Sequence, residues 1–298
     1  MNFAPVIIFG YNRPESLKAT VDSLLLNTEA AESDLYVFVD GARPEREGDY
    51  VKVRQVQEFV KGISGFKSVV CRFAEKNSGL GPSIIAGVTE VVGKYGIAIV
   101  LEDDLVLSSN FLSFMNQGLE RYRDDSKVFS VCGYSNSVRR PEGYCADSYF
   151  CTRSSSWGWA TWADRWNSVD WELEPFGQYL SMKGAFNRWG GSDCYGMLHD
   201  WHAGRNRSWA IRFSFAQFLQ DRLSLFPMES KVMNNGFDGQ GTNCRKWSRF
   251  RADADQSGKK EFVWPDKTGM NGKLHRNAMK YNSIPYRIYS RLMYLLHS

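Results

Sequence analysis

Several features are scarce or missing in this chain, and each absence excludes something. No stretch of the 298 residues approaches the run of roughly 18 apolar residues that a membrane-spanning helix needs. The opening MNFAPVIIFGYNRPE has no basic region before its short apolar run, which breaks at Asn12, so no secretory signal is expected. The six cysteines (71, 132, 145, 151, 194 and 244) include no CxxC pair; free thiols in a reducing cytosol are the expectation. An excess of one charge is also lacking. Against 33 Asp and Glu stand 37 Lys and Arg, a net +4. That is too little to make nucleic acid a main partner, although it suits an anionic small molecule or a lipid surface. There are no internal repeats, no Ser-His-Asp or Cys-His arrangement, and no Walker or dinucleotide glycine spacing.

What is present is a regular alternation. Apolar runs at 6–10, 35–39, 68–73, 97–101 and 128–132 read as strands. Helical patterns lie between them: from Pro14 through Leu17, Val21, Leu24 and Leu25; over 51–60; from Pro82 through Ile84, Ile85, Val88, Val91 and Val92; and over 111–122. Repeated β-α units of this kind predict a mostly parallel sheet flanked by helices. Ligands of such sheets sit at the carboxyl ends of the strands. Asp40, the loop 77–83 and the triplet Glu102-Asp103-Asp104 all follow strands directly and are therefore expected on one edge. After Cys132 the alternation degrades. SSSWGWATWADRW (154–166) holds four tryptophans. A helix is expected over 211–219 and a strand over 223–226. Residues 251–283 read as polar and poorly packed, and an amphipathic helix is expected near the C-terminus, with Ile288, Leu292 and Leu295 at helical spacing beside Arg287 and Arg291.

Three adjacent acids at the end of a buried strand repel one another unless a cation neutralises them. Hard oxygen ligands point to Mg²⁺ or Mn²⁺ rather than zinc. The competing reading is a solvated turn capping the next helix.

IVLEDDLVLSSNFLSFMN, together with VIIFGYNRPESLKATVDSLL near the N-terminus, resembles the GT-A glycosyltransferases. The similarity is to the group related to N-acetylglucosaminyltransferase I and to family 2-like bacterial sugar transferases, over about residues 5 to 245. The resemblance implies a Rossmann-like α/β fold in which the triplet serves a nucleotide-sugar site: Asp104 on Mn²⁺ or Mg²⁺, Glu102 and Asp103 toward ribose and donor sugar. The domain reading is one GT-A unit over 1–245, with a nucleotide-sugar half about 1–135 and an acceptor half about 136–245, then a tail, 246–298.

Other candidates carry two readings each. Asp40 either accepts from a pyrimidine N–H or makes an ordinary Asp-Gly turn. The loop NSGLGPS, with Asn77, Gly79 and Ser83, either brings backbone N–H groups to a phosphate or only turns the chain. Tyr11 and Arg13 end the first strand, where Arg13 can pair with a phosphate or simply precede a helix. Trp157 and Trp159 alternate as in a strand, so one can face a sugar while the other packs; equally, all four tryptophans can be core.

The stretch 208–244 also resembles this group. Relatives place a His where this chain has Asn243, and some carry an acid where it has Ala210. An inverting enzyme needs a base for the acceptor hydroxyl, so Asp200 is taken as that base over the neighbouring Asp193, with Asp164 in reserve. His199 and His202, without further clustered ligands, are read as structural.

The expectation is a metal-dependent, inverting transferase. It would move sugar from a nucleotide diphosphate sugar, UDP-linked, to a hydroxyl of a cell-surface glycan, a polysaccharide or a lipid-linked acceptor. It is placed in the cytoplasm, and the C-terminal helix carries two readings: a contact for the inner membrane face, or a docking helix within the protein or a dimer. Alternatives are a non-catalytic nucleotide-sugar or glycan-binding protein on the same fold and a membrane-surface scaffold. A nucleotidyltransferase is disfavoured because FGYNRPES lacks that class's basic, glycine-rich signature.

Overall fold

The computed structural model describes residues 3–236 and 249–297. In chain order the elements are β1 (Val6–Gly10), α1 (Pro14–Leu25), β2 (Asp34–Val39), α2 (Asp49–Lys61), β3 (Ser68–Phe73), α3 (Leu80–Tyr95), β4 (Ile97–Glu102), β5 (Leu105–Leu107), α4 (Phe111–Arg121) and β6 (Val128–Cys132). There follow β7 (Ser148–Cys151), β8 (Trp159–Trp162), α5 (Ala163–Asn167), α6 (Lys183–Gly190), α7 (Cys194–His202), α8 (Trp209–Leu219), β9 (Leu223–Pro227), β10 (Val232–Asn234), α9 (Gly272–Met279) and α10 (Ile284–His297).

Eight strands form one sheet in the order β3-β2-β1-β4-β8-β6-β9-β7, and β5 pairs with β10 in a separate small ladder. β3, β2, β1 and β4 are mutually parallel. Beyond β4 the direction changes: β8 runs antiparallel to both β4 and β6, and β7 antiparallel to β9. The sheet is mostly parallel, as expected: β6 and β9 run in the same direction as the first four strands, and only β8 and β7 are reversed.

β1 is buried along its whole length, as a strand covered by helices on both faces must be. Its alternate residues feed two cores. Val6 and Ile8 join Leu17, Val21, Val53, Phe111 and Phe114 on the face carrying α1, α2 and α4. Ile7 and Phe9 join Ile84, Val88, Trp159, Trp166 and Trp209 on the face carrying α3, α5 and α8. Within the tryptophan-rich stretch, Trp159 and Trp166 stack in the second core with centroids 5.7 Å apart. Trp162 is buried on the opposite face, its indole N–H donating to the Leu119 carbonyl.

One expectation is corrected. The segment taken as poorly packed is anchored in the main core: Ala252 and Phe262 are buried there, with Phe250 and Trp264 against it. Phe114 meets the rings of Phe262 and Trp264 at 5.1 and 5.2 Å. Asp255 forms a buried ion pair with Lys231, and the Asp255 carboxylate also accepts from Asn110 at 2.8 Å. A few well-spaced aromatics and one satisfied charge pair suffice to dock a segment whose average composition is polar. Among the described residues no helix is long and apolar enough to cross a membrane.

Candidate active site

The parallel half of the sheet brings the chain segments that follow β1, β2, β3 and β4 to one edge. There they border a cleft of about 1290 Å³ whose lining includes Arg13, Asp40, Arg43, Asn77, Ser83 and Asp103. Tyr11, Gly79 and Glu102 line it as well. Arg46, Lys52 and Arg72 add further positive charge. A cationic rim beside an acidic floor suits a polyanion accompanied by a metal ion.

Arg13 is the first counter-ion of the triplet. One guanidinium nitrogen bonds Asp103 and the other lies 3.1 Å from Asp104. Burial alone would lower the Arg13 pKa, but Asp103 and Asp104 outweigh it and hold the side chain charged. Burial lifts the Asp103 carboxyl to about 6 against the opposing pull of Arg13. Glu102 is raised further, first by burial and then by the repulsion of Asp104 and Asp103. A single guanidinium therefore does not neutralise three acids, and a further cation is favoured.

The fit of a divalent ion can be judged at Gly236. A Cβ there would lie 2.6 Å from Asp104 Oδ2 and 3.1 Å from Asn234 Oδ1, so two hard oxygen donors share a small cradle that admits no side chain. The cradle is built by β10: Asn234 pairs with Leu105 and the Asn235 N–H donates to the Asp104 carbonyl at 2.8 Å. Oxygen donors of this kind suit Mg²⁺ or Mn²⁺. Among the described residues no group of three or more His, Cys, Asp and Glu side chains could hold a metal.

Asp40 organises the glycine loop. Its Oδ1 accepts from the N–H groups of Gly41 and Ser78, both at 2.9 Å, and its Oδ2 from Gly79 N–H at 2.8 Å. Gly79 sits at φ +79° and ψ 160°, a region open essentially to glycine alone. At Gly81 a Cβ would approach the Arg207 carbonyl to 2.6 Å. Asn77 closes the loop, donating to the Gly41 carbonyl at 2.8 Å and accepting from Arg43 Nε at 3.1 Å. Ser83 Oγ donates back to the Gly79 carbonyl at 2.9 Å, as a helix-start hydroxyl does.

A second organising carboxylate, Asp49, was not singled out from the sequence. It is buried at the start of α2 and accepts from Tyr11 Oη, Asn12 Nδ2 and the Arg43 N–H. Burial would raise its pKa, but these hydrogen bonds, led by Arg43 N–H, prevail and hold it below the ordinary carboxylate value. Burial and the bond to Asp49 push the Tyr11 phenol up to about 12. The only sequence hint was an acid at a helix start beside a glycine, which reads equally well as an ordinary cap.

The remaining candidates lie elsewhere. Trp157 is half-buried, edge-on to Tyr134 at 4.6 Å and near Phe250 at 6.3 Å. Asp164 is not brought to the cleft. Because β8 is antiparallel to β4, Trp162 pairs with Ile97 at the start of β4 and Ala163 N–H donates to Gly96. Asp164 thus sits at the sheet edge opposite Glu102, held by Arg165 at 2.8 Å. Asp200 is carried on α7, with its exposed carboxylate engaged by Arg205. The loop leaving α7 packs against the glycine loop, with the Arg207 carbonyl facing Gly81. His202 stacks on Phe176 at 4.0 Å and His199 meets Arg205, in line with structural roles. Ala210 packs beside the second core. Asn243 lies outside the described residues.

No curated protein sequence matches the chain. Solved structures similar to it include the mannosyltransferase PcManGT of Pyrobaculum calidifontis in complex with GDP-Man and Mn²⁺ (12% identity, TM-score 0.35, covering 59% of this chain and 47% of that one). TarS of S. aureus (9%, 0.41, 77% and 36%) and an active-site mutant of LgtC (14%, 0.35, 58% and 64%) are also similar. This chain spans less than two thirds of the length of each. The sequence model of Glycosyl transferase family 2 matches residues 6–163, a span that contains the cleft strands, the glycine loop and the acidic triplet: the chain belongs to glycosyl transferase family 2.

Proposed function

We propose that the protein transfers a sugar from a nucleotide diphosphate sugar, UDP-linked, to a hydroxyl of a glycan or lipid-linked acceptor. The observation that carries this reading is the convergence, at one sheet edge, of a glycine loop held by Asp40, a cationic rim and an acidic triplet that Arg13 alone does not neutralise. In this reading the diphosphate lies along the rim beside the start of α3, where the guanidinium ions favour negative charge; the Ser78 and Gly79 N–H groups are already taken by Asp40. Asp104, with Asn234 beside it, would hold Mn²⁺ or Mg²⁺. When bound, the metal would stabilise negative charge on the departing nucleoside diphosphate. Glu102 and Asp103 would face the ribose and donor sugar, and Arg13 would keep their charge in check. Tyr11, fixed by Asp49, would close the nucleoside side of the cleft.

The acceptor hydroxyl gives its proton to a carboxylate as its oxygen attacks the anomeric carbon. The bond from that carbon to the diphosphate breaks in the same displacement, with inversion. Asp200 is proposed as the base because the loop leaving α7 packs against the glycine loop through Arg207; Arg205 must then release it. Trp157 would offer an aromatic face to a sugar ring.

The test is to incubate the protein with a panel of UDP- and GDP-sugars and Mn²⁺ and measure nucleoside diphosphate release. Metal-dependent release from one UDP-sugar is expected. Release from none would favour a nucleotide-sugar-binding protein, a reading supported by the pairing of Asp200 with Arg205.

A further inference from the structure

The C-terminal helix is turned inside out. α10 is about 21 Å long at 1.5 Å per residue, and its apolar side faces away from the body of the protein. Ile284, Ile288, Leu292 and Leu295 are 60%, 55%, 56% and 72% exposed. Their spacing of four, four and three residues makes one stripe along the helix. Tyr286, Arg287 and Ser290, on the other side, are half-buried, and Arg287 donates to Ser192 Oγ at 3.2 Å. A helix that packed for its own stability would show the reverse arrangement.

Charge indicates what covers the stripe. Residues 271–297 contain Lys273, Arg276, Lys280, Arg287 and Arg291 and no Asp or Glu. Lys273, Arg276, Lys280 and Arg291 are exposed. On a helical wheel Arg291 borders the apolar stripe, where its stem can lie along an apolar phase while the guanidinium reaches the headgroups. Two copies of so basic a segment placed face to face would repel.

We infer that α10 lies flat on an anionic bilayer, its Ile284, Ile288, Leu292 and Leu295 stripe in the acyl boundary and the cations of α9 and α10 on the headgroups. This is the arrangement of an interfacial helix rather than a spanning one. The inference stands apart from the proposed reaction, since it needs neither donor nor metal.

The experiment is flotation of the full chain with phosphatidylcholine vesicles and with the same vesicles containing phosphatidylglycerol, at low and high salt. Light scattering without lipid accompanies it. The wild type should float with the anionic vesicles, weakly or not at all with the neutral ones, and less at high salt, where surface charge is screened. The exposed pair Ile288→Glu and Leu292→Glu should lower the apparent affinity by about tenfold or more, because both the apolar insertion and the charge attraction are weakened. Absence of wild-type flotation with anionic vesicles overturns the inference without reference to any variant. Flotation unchanged in the double variant overturns it too, as does a dimer that the same substitutions dissolve, which would make a second copy the occupant.

Discussion

Removing the Asp40 carboxylate separates two roles that the residue could play. If Asp40 served only to contact the base of a nucleotide, its loss would weaken ligand binding and leave the empty protein unchanged. The structure instead gives it three backbone N–H groups, those of Gly41, Ser78 and Gly79 at 2.8–2.9 Å. Hydrogen bonds to a charged acceptor contribute about 1.5–3 kcal/mol each. The loop borders an open cleft, so water can satisfy part of what Asp40→Ala exposes; the net loss is then about 2–4 kcal/mol. For a chain of this size that corresponds to a fall in Tm of roughly 3–6 °C. Asp40→Asn is a milder version. Its single amide oxygen can serve either Gly79 or the Gly41 and Ser78 pair, while its NH₂ faces the other donors. Calorimetric unfolding of wild type, Asp40→Asn and Asp40→Ala, without ligand, is the assay. An ordered decrease is expected, accompanied by weaker nucleotide binding because the loop is no longer held. A Tm within about 1 °C of wild type for Asp40→Ala would refute the reasoning, since three such bonds cannot be lost without that cost.

Other outcomes follow from the same geometry. Lys231→Met should destabilise the protein by about 3–5 kcal/mol, because it leaves Asp255 buried without its cation; urea unfolding measures this, and a change below about 1 kcal/mol would contradict the buried pair. Burial would raise the Asp255 pKa, but Asn110, Lys231 and Ser257 hold it well below the ordinary value. Its contribution is therefore complete above the unfolded carboxylate pKa of about 4 and is lost as pH falls below it. The wild-type midpoint should drop in that window, and Asp255→Asn should flatten the drop. Asp164→Asn should leave kcat within about twofold of wild type, as expected of a surface change remote from the cleft; loss of turnover would mean that the opposite sheet edge takes part in the chemistry.

The parts legible in the sequence were those in which local pattern and tertiary environment agree. β3 at 68–73 and β6 at 128–132 were read to the residue because short β-branched runs were bounded by turns. The cleft edge was readable because parallel strands joined by helices all point the same way, which gathers Arg13, Asp40, the glycine loop and Glu102-Asp103-Asp104. After Cys132 that logic fails. β7, β8 and β10 have only three or four residues, too few for a period to show. Their directions depend on pairing partners distant in sequence. Asp164 illustrates the consequence: with β8 antiparallel to β4, the acid that follows it lands on the far edge. Asp49 escaped notice because its role arises from Tyr11, Asn12 and Arg43 meeting it in space. The docking of residues 249–264 rests on isolated aromatics and one ion pair, which a composition average conceals.

The central claim is that the triplet and the glycine loop form a metal-assisted nucleotide-sugar site. Calorimetric titration of UDP and GDP, with and without Mn²⁺, into wild type and Asp104→Ala tests it most directly. UDP binding is expected to require Mn²⁺ and to disappear in Asp104→Ala while the fold is retained. Binding of neither nucleotide under any metal condition, or Asp104→Ala binding as wild type does, would contradict it.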